Sequence, residues 1–173
     1  PAEQSRPSDG APGACERGGG ALGVAQRSGA SYWDVRGSAR RQQNVNTRDK
    51  IGQGVSDNDT YGIGVRTLVD GSWGFAATSN MTTEGVVKTA REAARIARAA
   101  KTVQKRPVEL APTPVVKGTW MTPVTRDPID GPIEEKVALL FATNEAAMKV
   151  PGVRFVNSGM QLLREVKTYL NSE

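Results

Sequence analysis

Residues 61–79 read YGIGVRTLVDGSWGFAATS, and this stretch decides the fold. Two apolar runs flank Asp70-Gly71, a dipeptide suited to the positive φ that a type I′ turn needs at both central positions. Residues 63–69 and 72–78 are therefore expected to pair as an antiparallel hairpin. Directly afterwards the apolar period lengthens. Val86, Val87, Ala90, Ala93, Ala94, Ala97 and Ala100 recur at three- and four-residue steps, which predicts a helix over residues 82–101. Thr82 is its expected N-cap. The stripe is built from small side chains, so the helix can approach a sheet closely, while Lys88, Arg91, Arg95 and Arg98 line up on the solvent side.

On the N-terminal side, residues 31–56 alternate and are poor in helix formers, which predicts strands. Asp57-Asn58-Asp59 reads as a loop. Residues 1–29 are rich in Gly, Pro, Ala and Ser and nearly lack large apolar side chains, so they read as a flexible arm, with a short helical turn expected around residues 21–27. On the C-terminal side, six of the ten prolines fall within residues 107–132. Proline neither continues a helix nor donates to a ladder, so this is an extended, wrapped connection. A second helix is expected over 133–148, with Ile133, Val137, Leu140, Phe141, Ala147 and Met148 on one face and Glu134 and Glu135 in the first turn. Strands over 153–157 and 160–170 would follow, separated by a turn at Ser158-Gly159. The expected architecture is α+β: a curved antiparallel sheet with two packed helices, preceded by the arm of residues 1–29, so that residues 30–173 form the domain.

Composition narrows the chemistry. The chain has no histidine and one cysteine, Cys15, which removes histidine acid-base chemistry, Ser-His-Asp and Cys-His triads, and the usual zinc ligand sets. One cysteine forms no internal disulfide, so the fold does not depend on an oxidising compartment, and export is compatible with it. No run of about 18 apolar residues is present. These features read as a soluble chain, cytoplasmic or peripheral to a membrane complex. The net charge of +5 sits in residues 81–106, where seven cations face only Glu84 and Glu92, and the remainder of the chain sums to zero. A basic face on one helix is the consequence.

Other motifs read as structural. Gly62-Ile63-Gly64 and Gly71-Ser72-Trp73-Gly74 have strands on both sides and no helix directly after, so tight packing and turns outweigh a phosphate cradle. Asp34, Asp57, Asp59 and Asp70 do not make a catalytic dyad, and the spacing at 57–59 lacks the remaining ligands of a calcium loop. Trp33, Trp73 and Trp120 read as core or sheet-covering residues. The stripe Lys88, Arg91, Arg95 and Arg98 is the candidate contact surface, fitting an acidic protein or an anionic lipid surface better than nucleic acid, since no aromatic residues interleave with it.

The stretches GASYWDVRGS at 29–38, YGIGVRTLVDGSWGFAATSNMT at 61–82 and EGVVKTAREAARIARAA at 84–100 resemble the N-terminal domain of the TldD/PmbA family. These are zinc metallopeptidases and their metal-free partners, also called modulators of DNA gyrase. The likeness continues through VELAP, VKGTWMTPVTRDPID and EEKVALL to the last strand. The resemblance implies that zinc is held by an HExxxH motif in a C-terminal domain beyond Glu173, so no catalytic, cofactor-binding or metal-binding role carries over to any residue here. It also implies an amphipathic helix where GAPGACERGGG stands. The expected function is a non-catalytic interaction subunit that docks into a larger protein assembly, with an edge near the final strand covered by another chain. The alternative is a substrate-chamber domain of a TldD/PmbA-type metallopeptidase or of its metal-free partner. A basic binder of anionic lipid or nucleic acid is the third reading.

Overall fold

The computed structural model describes residues 29–173 together with Gly23. The expected arm of residues 1–29, its helical turn and Cys15 lie outside the described residues, Gly23 and Gly29 apart. The described chain forms β1 (Tyr32–Arg48), β2 (Ile51–Val69), β3 (Ser72–Thr78), α1 (Thr83–Lys101), α2 (Ile133–Met148) and β4 (Asn157–Asn171). The strands make one antiparallel sheet in the order β3-β2-β1-β4, so the fold is α+β.

The chain divides into two compact units. Among the described residues the first comprises 29–39, Tyr61–Gly118 and Val166–Glu173. Its centre is the hairpin: Val69 lies opposite Ser72 and the register runs to Ile63 opposite Thr78. Asp70 (φ 49°) and Gly71 (φ 75°) both take positive φ, as the type I′ turn requires. Thr82 caps α1 by accepting a hydrogen bond from the Gly85 N–H at 3.1 Å. Val86, Ala90 and Ala93 pack with Trp33, Val35, Ile63 and Val65 in the core, and Ala94 and Ala97 are buried beside them. Gly74 sets how closely helix and strand approach. A Cβ placed there would stand 1.9 Å from the Ala93 carbonyl oxygen and 2.5 Å from the Ala97 nitrogen.

The second unit comprises Arg40–Thr60 and Thr119–Glu165. Two expectations fail within it. Asp57-Asn58-Asp59 belongs to β2 rather than to a loop. The sequence hides this strand because β2 is exposed throughout residues 51–61, so burial imposes no apolar alternation on it. Residues 153–156 are not a strand, and Ser158-Gly159 is not a turn; both lie in a single β4. The backbone before β4 is engaged elsewhere. Val156 donates its N–H to Asp49 Oδ1 and accepts from the Asp49 N–H, both at 2.8 Å, fastening the β1–β2 turn. Gly159 serves a close approach instead, since a Cβ there would meet Asn46 Oδ1 at 2.8 Å.

Candidate interaction surface

α1 presents Lys88, Arg91, Arg95 and Arg98 as exposed side chains, on the side opposite its buried alanines. They do not form a uniform cationic field. Arg95 grips Glu92 through both Nε (2.8 Å) and an Nη (2.7 Å). One turn beyond the stripe, Lys101 donates to Asp70 at 2.7 Å, tying the helix end to the hairpin turn. Exposed pairs of this kind contribute little stability, but each cancels charge that a long-range anionic partner would feel.

A second group in the same unit was not legible from motif reading. The Asp34 carboxylate is buried between two guanidinium groups: Arg66 Nη2 at 2.6 Å and Arg36 Nε at 3.2 Å. Arg66 also lies 4.3 Å over the Trp73 ring, and Arg36 5.2 Å over that of Tyr169. Tyr32 meets Trp73 edge-on and shares a 2.8 Å hydrogen bond with the Tyr169 hydroxyl. Burial, that hydrogen bond and the nearby Asp34 charge push the Tyr32 hydroxyl up to about 12. The arrangement suits structural clamping rather than proton transfer, since the raised Tyr32 hydroxyl holds its proton and the carboxylate is occupied by two cations. Sequence spacing gave one clue, the strand alternation that puts Tyr32, Asp34 and Arg36 on a common face.

In the second unit, the interior side of α2 is polar. An apolar face was expected from Ile133 to Met148, yet the buried residues are Lys136, Leu140 and Asn144, while Met148 is exposed. Lys136 donates to Gln43 Oε1 and to the Ile129 carbonyl at 3.3 Å. Gln43 passes the chain on, donating to Asp57 at 2.9 Å, and Arg41 holds Asp57 through two hydrogen bonds at 2.7 and 2.9 Å. Asn144 donates to Thr47 Oγ1 at 3.0 Å and to the Asp49 carbonyl at 2.9 Å, and accepts from Ser158 Oγ. These bonds meet the rule that buried polar groups must be paired.

The Arg41 fork, with Gln43, holds the Asp57 carboxyl down at about 2. A carboxylate with a depressed folded-state pKa contributes stability that is whole above its ordinary value of about 4 and is lost as the pH falls through about 2. Arg41→Gln is expected to return the Asp57 carboxyl toward its ordinary value, read by carbon-detected NMR titration. An unmoved titration would show that Arg41 is not the cause.

The proline-rich connection departs furthest from expectation. Trp120, expected in the core or over the sheet, is instead 82% exposed, and Met121 is 83% exposed, with Val115, Val116 and Val124 exposed nearby in sequence. Proline-interrupted backbone of this kind forms no ladder; the connection is fastened at its ends, by Val108 donating to the Gly71 carbonyl and by the buried Ile129, while residues 115–124 are exposed. Trp33, by contrast, is in the core.

Among the described residues no cluster of three or more His, Cys, Asp or Glu could hold a metal ion, and no helix is long and apolar enough to cross a membrane. The described residues therefore do not fit the zinc that a metallopeptidase relationship implies. Residues 33–97 match the family described as PmbA/TldA metallopeptidase domain 1. No curated protein sequence matches the chain. Its fold is similar to that of TldE from Thermococcus kodakarensis (TM-score 0.71, 14% identity, covering 90% of this chain and 35% of that one). It is also similar to proteins described as modulators of DNA gyrase from Bacteroides thetaiotaomicron (TM-score 0.72, 16% identity, 91% and 36%) and Thermotoga maritima (0.63, 16%, 91% and 36%). The chain spans about a third of the length of each. The sequence match to that family model covers residues 33–97, under half of the chain, while the likeness to these solved structures is one of fold and extends over nine-tenths of its length.

Proposed function

We propose that this chain is a non-catalytic interaction domain that docks onto another folded polypeptide surface through its proline-rich connection. The observation that carries the reading is the exposure of Trp120 and Met121, adjacent in sequence and followed by the exposed Val124. Large aromatic and sulfur-containing side chains exposed to water mark protein contacts, and tryptophan is among the commonest energetic anchors of such contacts. The basic stripe of α1 is secondary to this, because Glu92 already engages Arg95.

The test is a benzophenone amino acid placed at position 120 or 121, in the protein expressed in its own host. Photolysis is expected to give a defined polypeptide adduct from these sites and none from position 105. With the partner identified, the double substitution Trp120→Ala and Met121→Ala should weaken its binding by about tenfold to a hundredfold. Adducts no more frequent than from position 105 would sink the proposal.

A second reading is favoured by the length relation: a domain matching about a third of TldE can serve as a wall of a metallopeptidase-type substrate chamber. Crosslinks running to a following domain of the same polypeptide would favour it over docking to a separate subunit.

A further inference from the structure

The hairpin register leaves much of β2 without an outer neighbour. β3 pairs with β2 only from Val69 to Ile63, where Thr78 ends it, while β2 extends to Ile51. Since the order is β3-β2-β1-β4, no other described strand stands on that side. Residues 51–60 lie wholly in the second unit and all are exposed. On their inner side they have β1, whose Gln43, Val45 and Thr47 are buried. Lys136 and Asn144 of α2 fix two of these by hydrogen bonds. The edge is thus free while the strand behind it is anchored.

An unpaired edge offers backbone N–H and C=O groups that another extended chain meets in register. Proteins usually blunt such edges with lysine, proline or a bulge. Residues 51–62 contain neither lysine nor proline. They expose Ile51 and Val55, and at Gly52 and Gly54 a Cβ would meet nothing within 4 Å, so the sheet face at these positions is uncovered as well. The charged side chains of residues 51–60 are both acidic: Asp57 is engaged by Arg41 and feels the Lys136 charge, and Asp59 is exposed.

We propose that residues 51–60 form a docking edge for an extended segment of another protein, added as an outer strand, with apolar side chains beside Ile51 and Val55 and a lysine or arginine beside Asp59. Acidic charge disfavours a second copy of the same edge as occupant, since pairing would bring two such edges together. This edge uses none of the residues of the Trp120 connection, so either surface can fail its test without the other.

The test uses the full chain and a fluorescein-labelled eight-residue peptide of alternating valine and lysine. Two comparison peptides replace the lysines by glutamate or two central valines by proline. Fluorescence anisotropy should show the valine-lysine peptide binding with Kd on the order of 10–100 µM, and each comparison peptide at least about tenfold weaker. Val55→Pro should weaken the valine-lysine peptide by a similar factor, whereas Trp120→Ala should leave it unchanged. Should Val55→Pro perturb folding by circular dichroism, Asp59→Lys serves instead and is expected to shift preference toward the glutamate peptide. Equal binding of all three peptides, or valine-lysine binding unmoved by Val55→Pro and Asp59→Lys alike, would overturn the proposal. So would a dimer in sedimentation that Val55→Pro abolishes, because the edge would then belong to a second copy.

Discussion

Replacing Gly74 by alanine is expected to destabilise the first unit by about 3 kcal/mol, the upper part of the range for overpacking a tight core. The obstacle is backbone. The new Cβ would stand 1.9 Å from the Ala93 carbonyl oxygen and 2.5 Å from the Ala97 nitrogen, so no rotamer change relieves it and α1 must move away from β3. Moving the helix would loosen the packing of Val86, Ala90 and Ala93 against Trp33, Val35, Ile63 and Val65. For a chain of this size that loss corresponds to a fall of roughly 6–12 °C in Tm. Gly64→Ala is the matched control. Its Cβ would meet Phe75 Cε2 at 3.0 Å, but Phe75 is an exposed side chain with room to rotate, so the expected change is below about 1 kcal/mol. Calorimetry on both variants decides the matter, and equal Tm values would refute the close helix-strand approach.

Asn144→Asp is expected to cost about as much as Gly74→Ala, for an electrostatic reason. Asn144 is fully buried, and its amide nitrogen donates to both Thr47 Oγ1 and the Asp49 carbonyl. A carboxylate of the same size donates nothing and faces the Asp49 carbonyl oxygen, while burial disfavours its charge. Leaving a buried acceptor unmet costs about 1–3 kcal/mol by itself. Asn144→Ala removes the amide and leaves a cavity, so it should fall within about 1 kcal/mol of the aspartate variant. Hydrogen exchange gives the local readout, through faster exchange of the Asp49 and Val156 amides, which bond across the β1–β2 turn and the start of β4. If Asn144→Asp keeps wild-type Tm and exchange, these hydrogen bonds do not hold the unit together.

The contrast between these two positions shows what local sequence encodes. Around Gly74 the chain speaks for itself. Asp70-Gly71 specifies the turn, alternation specifies β2 and β3, and a 3.6-residue period of alanines specifies the helix face; backbone sterics and apolar burial act there over a few neighbouring residues. The candidate stripe Lys88, Arg91, Arg95 and Arg98 was legible for the same reason, as the complement of the buried face. Around Asn144 and Lys136 the same periodicity misleads. An amphipathic count ranks Val137 and Met148 as interior, but the interior positions opposite β1 go to side chains whose partners, Gln43 and Thr47, lie some ninety residues away. Hydrogen bonds between distant residues leave no period in the sequence, and neither do the ion pairs of Asp34 with Arg66 or of Asp57 with Arg41. The free edge of β2 was hidden likewise, because an exposed strand needs no apolar alternation and its lack of a neighbour depends on where β3 ends.

By itself, then, the sequence determined the hairpin, both helices and the α+β class, because each rests on steric and apolar signals repeated over short spans. Tertiary structure alone decided the polar interior beneath α2, the exposure of Trp120 and the open edge at residues 51–60. Those features depend on which distant groups meet and which are left facing water, and a linear pattern does not carry that information.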